Sequence, residues 1–141
     1  MYKVGGSFWC DNNNLTSLKG CPEIVEGDFS CSDNNLTSLE GGPKIVGDCF
    51  WCNDNNLISL KGCPEIIKDG FSCYDNNLTS LKGGPKIVKG IFSCTHNNLT
   101  SLDGCPEIVE GEFYCRDQIS GYKFTVEEVR NHCKVRGGIY V

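Results

Sequence analysis

The chain has 141 residues, 22% of them charged, with a net charge of −5 and a pI near 5.0. That suits one acidic domain and gives no electrostatic case for general binding to nucleic acid or to a membrane surface. No apolar run approaches the ~20 residues that span a bilayer, and no charged stretch leads into an apolar run at the N-terminus, so neither a membrane span nor a secretory signal is expected.

The opening stretch, MYKVGGSFWC, starts in mid-unit. Val4 and Phe8 match Val25 and Phe29, so residues 1–9 are expected to form a partial N-terminal rung. From there the chain repeats itself. Cys10, Cys31, Cys52, Cys73, Cys94 and Cys115 lie 21 residues apart, each with Phe two positions earlier (Phe8, Phe29, Phe50, Phe71, Phe92, Phe113). Asn13, Asn34, Asn55, Asn76 and Asn97 keep the same step, as do the leucine rows that begin at Leu15 and Leu18. Gly-x-Pro punctuates every copy, from Pro22 to Pro106, so the glycines and prolines mark turns rather than disorder. A strict period of this length predicts a stacked solenoid, in which neighbouring units bury the apolar face that one unit cannot bury alone.

Within one unit, the Phe-x-Cys alternation predicts a very short strand with Phe and Cys inward and the residue between them outward. The asparagine stands where the chain leaves that strand. There its amide is expected to satisfy backbone groups of its own and the neighbouring rung. The leucines of "LTSL" should point inward from the returning side, as a turn or a short 3₁₀ segment. "EIV" then closes the coil. Roughly five apolar side chains per rung, at ~1.5–3 kcal/mol each, become ample stabilisation once the units stack.

These residues carry a resemblance. "FSCSDNNLTSL" matches the leucine-rich repeat frame L-x-L-x-x-N-x-L-x-x-L, with Phe29 and Cys31 at the strand positions, Asn34 at the ladder asparagine, and Leu36 and Leu39 after it. The unit resembles the short bacterial type, and with Cys in the strand it is similar to small leucine-rich repeat proteins encoded by tailed bacteriophages. The resemblance covers roughly residues 2 to 119. It implies an α/β-type repeat solenoid, with short parallel strands stacked in a curved sheet and a mostly irregular or 3₁₀ return side. The ubiquitin-ligase domain that follows the repeats in some bacterial effectors has no counterpart here.

After the repeats (residues 10–115) the character changes, and residues 116–141 are expected to cap a single domain of residues 1–141. Gln118 falls at the ladder position. "FTVEEVRNHCKV" reads as a helix with Thr125 as N-cap and Glu128 at capping-box spacing. Val126, Val129 and Cys133 should share the face that covers the last rung. "GGIYV" is expected to end as an edge strand.

Eleven cysteines suggest disulfides or a metal, and the repeat argues against both. Six occupy the inward row, where cysteine packs as a small hydrophobe. Cys21, Cys63 and Cys105 recur in alternate units, ~10 Å apart at the usual strand spacing, too far to bridge. Cys49 and Cys52 point opposite ways along the strand. No metal or other cofactor is expected, and unpaired thiols suit a reducing cytoplasm.

The two histidines, His96 and His132, stand in a surface row and on the cap helix. No nucleophile elbow, phosphate loop or metal-ligand cluster accompanies them, so no enzymatic activity is expected. Glu23, Lys44, Glu65, Lys86 and Glu107 alternate in sign at one stacked position, which favours correct stacking order. Lys61, Lys68, Lys82, Lys86 and Lys89 form a secondary candidate patch for an acidic partner. Nucleic acid is not expected there, because no aromatic residue interleaves with them.

A scaffold repeats and a site does not, so function is sought where the units differ. The outward strand positions vary most, and in leucine-rich repeats they line the concave face. Trp9, Asp11, Trp51, Asn53, Tyr74, Tyr114 and Arg116 are therefore the candidate partner-binding residues, since Trp, Tyr and Arg often dominate interfaces. The expectation is a monomer or weak oligomer that binds protein, with no role for membrane. The resemblance favours an inhibitor of a bacterial host or defence protein. A small-ligand sequestrant and a structural repeat of a larger assembly are the other two classes the residues allow.

Overall fold

The structure is a computed structural model and describes residues 1–141. Every unit makes two strands of two residues. β1 (Lys3–Val4) and β2 (Phe8–Trp9) form the first rung, β3 (Ile24–Val25) and β4 (Phe29–Ser30) the second, β5 (Ile45–Val46) and β6 (Phe50–Trp51) the third. β7 (Ile66–Ile67) and β8 (Phe71–Ser72), β9 (Ile87–Val88) and β10 (Phe92–Ser93), and β11 (Ile108–Val109) and β12 (Phe113–Tyr114) continue the stack. A short helix, α1 (Val126–His132), leads into β13 (Lys134–Val135) and β14 (Ile139–Tyr140).

The even-numbered strands build one parallel seven-stranded sheet, from β2 at one end to β14 at the other. Its register follows the sequence period: Phe29 pairs with Phe50 and Ser30 with Trp51, then Phe50 with Phe71. Identical residues therefore stack. The inward phenylalanines form a ladder with ring centroids 5.0 to 6.2 Å apart. Cysteine, leucine and valine rows complete a single core of 27 buried residues running the length of the molecule.

Of the turn or short 3₁₀ segment expected on the return side, the structure has the irregular, turn-like form. "LTSL" is held by bends whose backbone groups bond across rungs, as Asn77 N does to Leu57 O at 3.0 Å, so no run of local bonds forms. "EIV" and its equivalents make strands of their own. The odd-numbered strands do not form one sheet, however. They split into β1-β3-β5 and β7-β9-β11-β13, with no pairing between β5 and β7. Lys44 N reaches Glu23 O at 2.9 Å and Lys86 N reaches Glu65 O at 2.7 Å, but Glu65 N and Lys68 N have no backbone acceptor. The break leaves a cleft of about 430 Å³ lined by Ile45, Val46, Ile66, Lys44, Glu65 and Lys68. Ile67 is the one isoleucine in an inward row that is otherwise valine from Val25 to Val109.

The asparagine ladder is realised. Asn76 Nδ2 donates to Cys52 O of the preceding rung at 3.0 Å and to Cys73 O at 3.1 Å, while its Oδ1 accepts from Leu57 N at 3.0 Å. Gln118 repeats the arrangement, donating to Cys94 O and accepting from Leu99 N, both at 3.1 Å. The residue before each ladder amide takes positive φ: Asp33, Asp54, Asp75, His96 and Asp117 lie at 50–53°. Asp, Asn and His enter that region most readily among residues with a side chain, which explains the composition of the row. Gly62, at φ 99°, is obligatory for a second reason. A Cβ there would collide with the Leu39 carbonyl of the neighbouring rung.

At the C-terminus, Thr125 caps α1 with a full capping box, its hydroxyl accepting from Glu128 N at 3.1 Å while Glu128 Oε2 accepts from Thr125 N at 3.2 Å. Val129 and Cys133 are buried, but Val126 is 40% exposed. Val126 occupies the first helical position. Phe124, before the cap, is buried in the core with Val129, at hydrophobic-staple spacing. The segment after the helix does more than end in an edge strand. β13 pairs with β11 and β14 with β12, so the cap carries a complete seventh rung. At the other end Val4, Phe8, Cys10 and Leu15 remain only half-buried.

Candidate interaction surface

With Phe and Cys inside, the side chain between them must face outward on the seven-stranded sheet. This row runs Trp9, Ser30, Trp51, Ser72, Ser93, Tyr114 and Tyr140, and the row after the cysteines begins at Asp11 and includes Asn53, Tyr74 and Arg116. The sequence-derived candidates thus share one face. They divide into two groups.

One group is occupied within the chain. Asp11 Oδ1 accepts from Ser32 N at 2.8 Å and from the Ser30 hydroxyl, which ties the first rung to the second. Tyr114 donates its hydroxyl to Glu112 at 2.6 Å and stacks on Tyr140 with centroids 4.5 Å apart; the bond to Glu112, then burial, raise the hydroxyl above its ordinary value. Arg116 lies over the same Tyr140 ring, 5.1 Å from its centroid. Tyr140, missed in the sequence reading, completes this cluster. Its signal was the echo of "IVEGEFYC" (108–115) in "KVRGGIYV" (134–141).

In the other group only Tyr74 is engaged, through the Asp54 carboxylate beside its hydroxyl. Trp9 is 66% exposed and Tyr74 38% exposed, Trp51 is half-buried, and none of the three pairs with another ring. Asn53, between Trp51 and Tyr74 in this region, holds a shielded Oδ1 that no donor reaches, unlike any other buried side-chain polar atom of the chain. Tyr74 is raised above the ordinary tyrosine value by burial and by the neighbouring Asp54 carboxylate. Asp54 is raised too, by burial that outweighs the lowering effect of the Tyr74 hydroxyl, with Asp33 and Asp75 on the adjoining rungs adding to it. His96 interrupts this carboxylate row, its Nδ1 3.1 Å from Asp75 and its Nε2 3.9 Å from Asp117.

The lysines do not join this face. Lys61 and Lys82 follow the second leucine of their units, while Lys86, Lys68 and Lys89 flank the odd-numbered strands. Lys61 pairs with Glu40 at 2.9 Å and Lys86 with Glu65 at 3.2 Å, leaving Lys68, Lys82 and Lys89 outside any ion pair. The alternating row forms two of its contacts, Lys44 to Glu23 at 3.6 Å and Lys86 to Glu65; Lys44 and Glu65 stay apart across the break in the sheet.

All eleven cysteines are free. Cys21 and Cys105 meet not each other but the thiols of Cys10 and Cys133. Hydrogen bonding from Cys10 lowers Cys21, and the same bond with burial raises Cys10. No three His, Cys, Asp or Glu side chains converge as a metal site, and no helix is long and apolar enough to cross a membrane. No protein-family model, curated protein or solved structure matches this chain.

Proposed function

We propose that the chain is a non-enzymatic protein-protein interaction module that engages its partner through the outward face of the seven-stranded sheet. The observation that carries this is the strip of Trp9, Trp51 and Tyr74, rings with no packing duty because Phe and Cys fill the interior. Exposed aromatics of this kind mark interaction sites, and Trp and Tyr are enriched among the residues that dominate binding energy. The resemblance of the unit to small bacteriophage leucine-rich repeat proteins supports an inhibitory role against a bacterial host or defence protein.

The test is capture from bacterial lysate on immobilised protein, comparing the native sequence with Trp51→Ala/Tyr74→Ala. The double variant should lose a stoichiometric protein partner and keep its thermal melt. Undiminished capture would move the site to the lysine-bearing return side. A co-purified small molecule in place of a protein would favour a sequestrant.

A further inference from the structure

Resting on that reading, we infer that the partner presents a basic polypeptide segment, whose arginine or lysine side chains lie on the exposed rings and meet the carboxylates beside them. The first observation is a sorting of charge. Of the 13 lysines and arginines, only Arg116 sits on an even-numbered strand or on the turn that follows one. Lys68, Lys89 and Arg136 lie on the turns that lead into β8, β10 and β14, and the others on the return side and the cap. Carboxylates border the same strands on both sides, Asp48 and Asp69 before them and Asp33, Asp54 and Asp75 after them. None of these five pairs with a lysine or arginine, and only Asp75 meets another titratable side chain of the opposite kind, the His96 imidazole. The border that follows the strands, with Asp33, Asp54 and Asp75 and no lysine beside them, is complementary to a positive surface.

The second observation is that folding does not require this charge. The turn after each strand needs a residue that tolerates positive φ, and Asn12 fills the equivalent place in the first rung at φ 56°. Asparagine would serve in every rung. Aspartate at three successive rungs instead places like charges ~5 Å apart along the stack, which opposes folding. Burial adds to that opposition at Asp54. A cation supplied from outside would relieve it.

The third observation is a contact of the inferred kind already present in the chain. Arg116 lies over the Tyr140 ring at 5.1 Å, on the same face. The exposed Trp9 and Tyr74 and the half-buried Trp51 stand on the same face with no cation over their rings, and tryptophan is the strongest ring for a guanidinium or ammonium. Asn53 Oδ1 adds an acceptor without a donor in the same region. From Trp9 to Tyr74 the strip crosses three rung steps, ~14 Å, the reach of four or so extended residues.

The experiment titrates fluorescently labelled peptides into the full chain at low and high salt. The probes are a short Arg-Gly repeat peptide, its citrulline-Gly counterpart of equal shape without charge, and a Glu-Gly repeat. The Arg-Gly peptide should bind, the other two should not, and salt should weaken binding. Asp33→Asn/Asp54→Asn/Asp75→Asn, which keeps the turn geometry, should weaken it roughly tenfold while the melt is raised, not lowered. Lys68→Gln/Lys89→Gln on the return side should leave it unaltered. No binding of the Arg-Gly peptide, or equal binding by the triple-Asn variant, overturns the inference. Lysate capture separates this from the parent reading. If the triple-Asn variant still captures a protein that Trp51→Ala/Tyr74→Ala loses, the face is an interaction site for a partner that is not basic. If both variants capture it fully, the face itself is excluded.

Discussion

Asparagine at position 34 and its equivalents closes hydrogen bonds in two rungs at once, and the bonds it closes are buried. Removing the Asn76 amide would leave Leu57 N without its acceptor and Cys52 O with only the longer bond from Asn55 Nδ2 at 3.4 Å. With an orphaned donor costing about 1–3 kcal/mol and a lost hydrogen bond about 1 kcal/mol, Asn76→Ala should destabilise by about 2–4 kcal/mol in urea unfolding. Asn13→Ala, which loses a single exposed bond to Asp11 O, should cost under about 1 kcal/mol. Equal effects at the two positions would contradict the ladder. The inward thiols make a second prediction at this scale. Burial raises Cys52 and Cys94 far above the ordinary thiol value and takes Cys115 up to about 12. These groups stay neutral in the folded chain while their unfolded counterparts ionise. Their stabilisation is complete below the unfolded value and is lost as pH rises above it. Each fully buried thiol should then cost about 1.4 kcal/mol per pH unit above about pH 8.5. The urea midpoint should fall steeply above that pH, and Cys52→Ala should flatten the slope; a level profile would show the thiols to be solvated.

At the scale of elements, the repeat was legible because its cause is local: a two-residue strand is set by one inward Phe, and its register by a period that never varies. The capping box was legible for the same reason, since Thr125 and Glu128 are three residues apart. Thr125→Ala should lower stability by about 1 kcal/mol. Deleting residues 125–141 removes β13, β14 and the buried Val129, and the exposed sixth rung should aggregate; a monomer with an unchanged melt would make the segment an interaction tail instead. What the sequence did not disclose depends on longer distances. The seventh rung was hidden because α1 replaces the usual "LTSL" leg and shifts the period, so that Lys134 pairs with Ile108. Val126 was placed on the covered face by helical spacing alone, although the first turn of so short a helix does not reach the core. At the candidate face the alternation named the right side chains, but which of them the chain itself occupies depended on Tyr140 and Ser30, partners from other rungs.

For the whole molecule, stability is a sum over neighbouring rungs, and the ends should open first. The first rung is the weakest, with Val4, Phe8, Cys10 and Leu15 half-buried, while its equivalents in the middle are sealed. Hydrogen exchange should therefore slow from Cys10 towards Cys73 and Cys94. One place should depart from that gradient. The amides of Glu65 and Lys68, facing the break between β5 and β7, should exchange far faster than those of Lys86 and Lys89 one rung later; equal protection would mean that the break closes in solution.

The break also has a mechanical meaning. Along the odd-numbered strands the first three rungs and the last four are separate blocks, joined by the pairing of β6 with β8, by the Asn76 ladder bonds and by the bond from Asn77 N to Leu57 O. Trp51 belongs to the block before the break and Tyr74 to the block after it, so any bending there changes the distance between the two rings. A partner held by both residues, as proposed for this face, would splint the two blocks into one rigid rod.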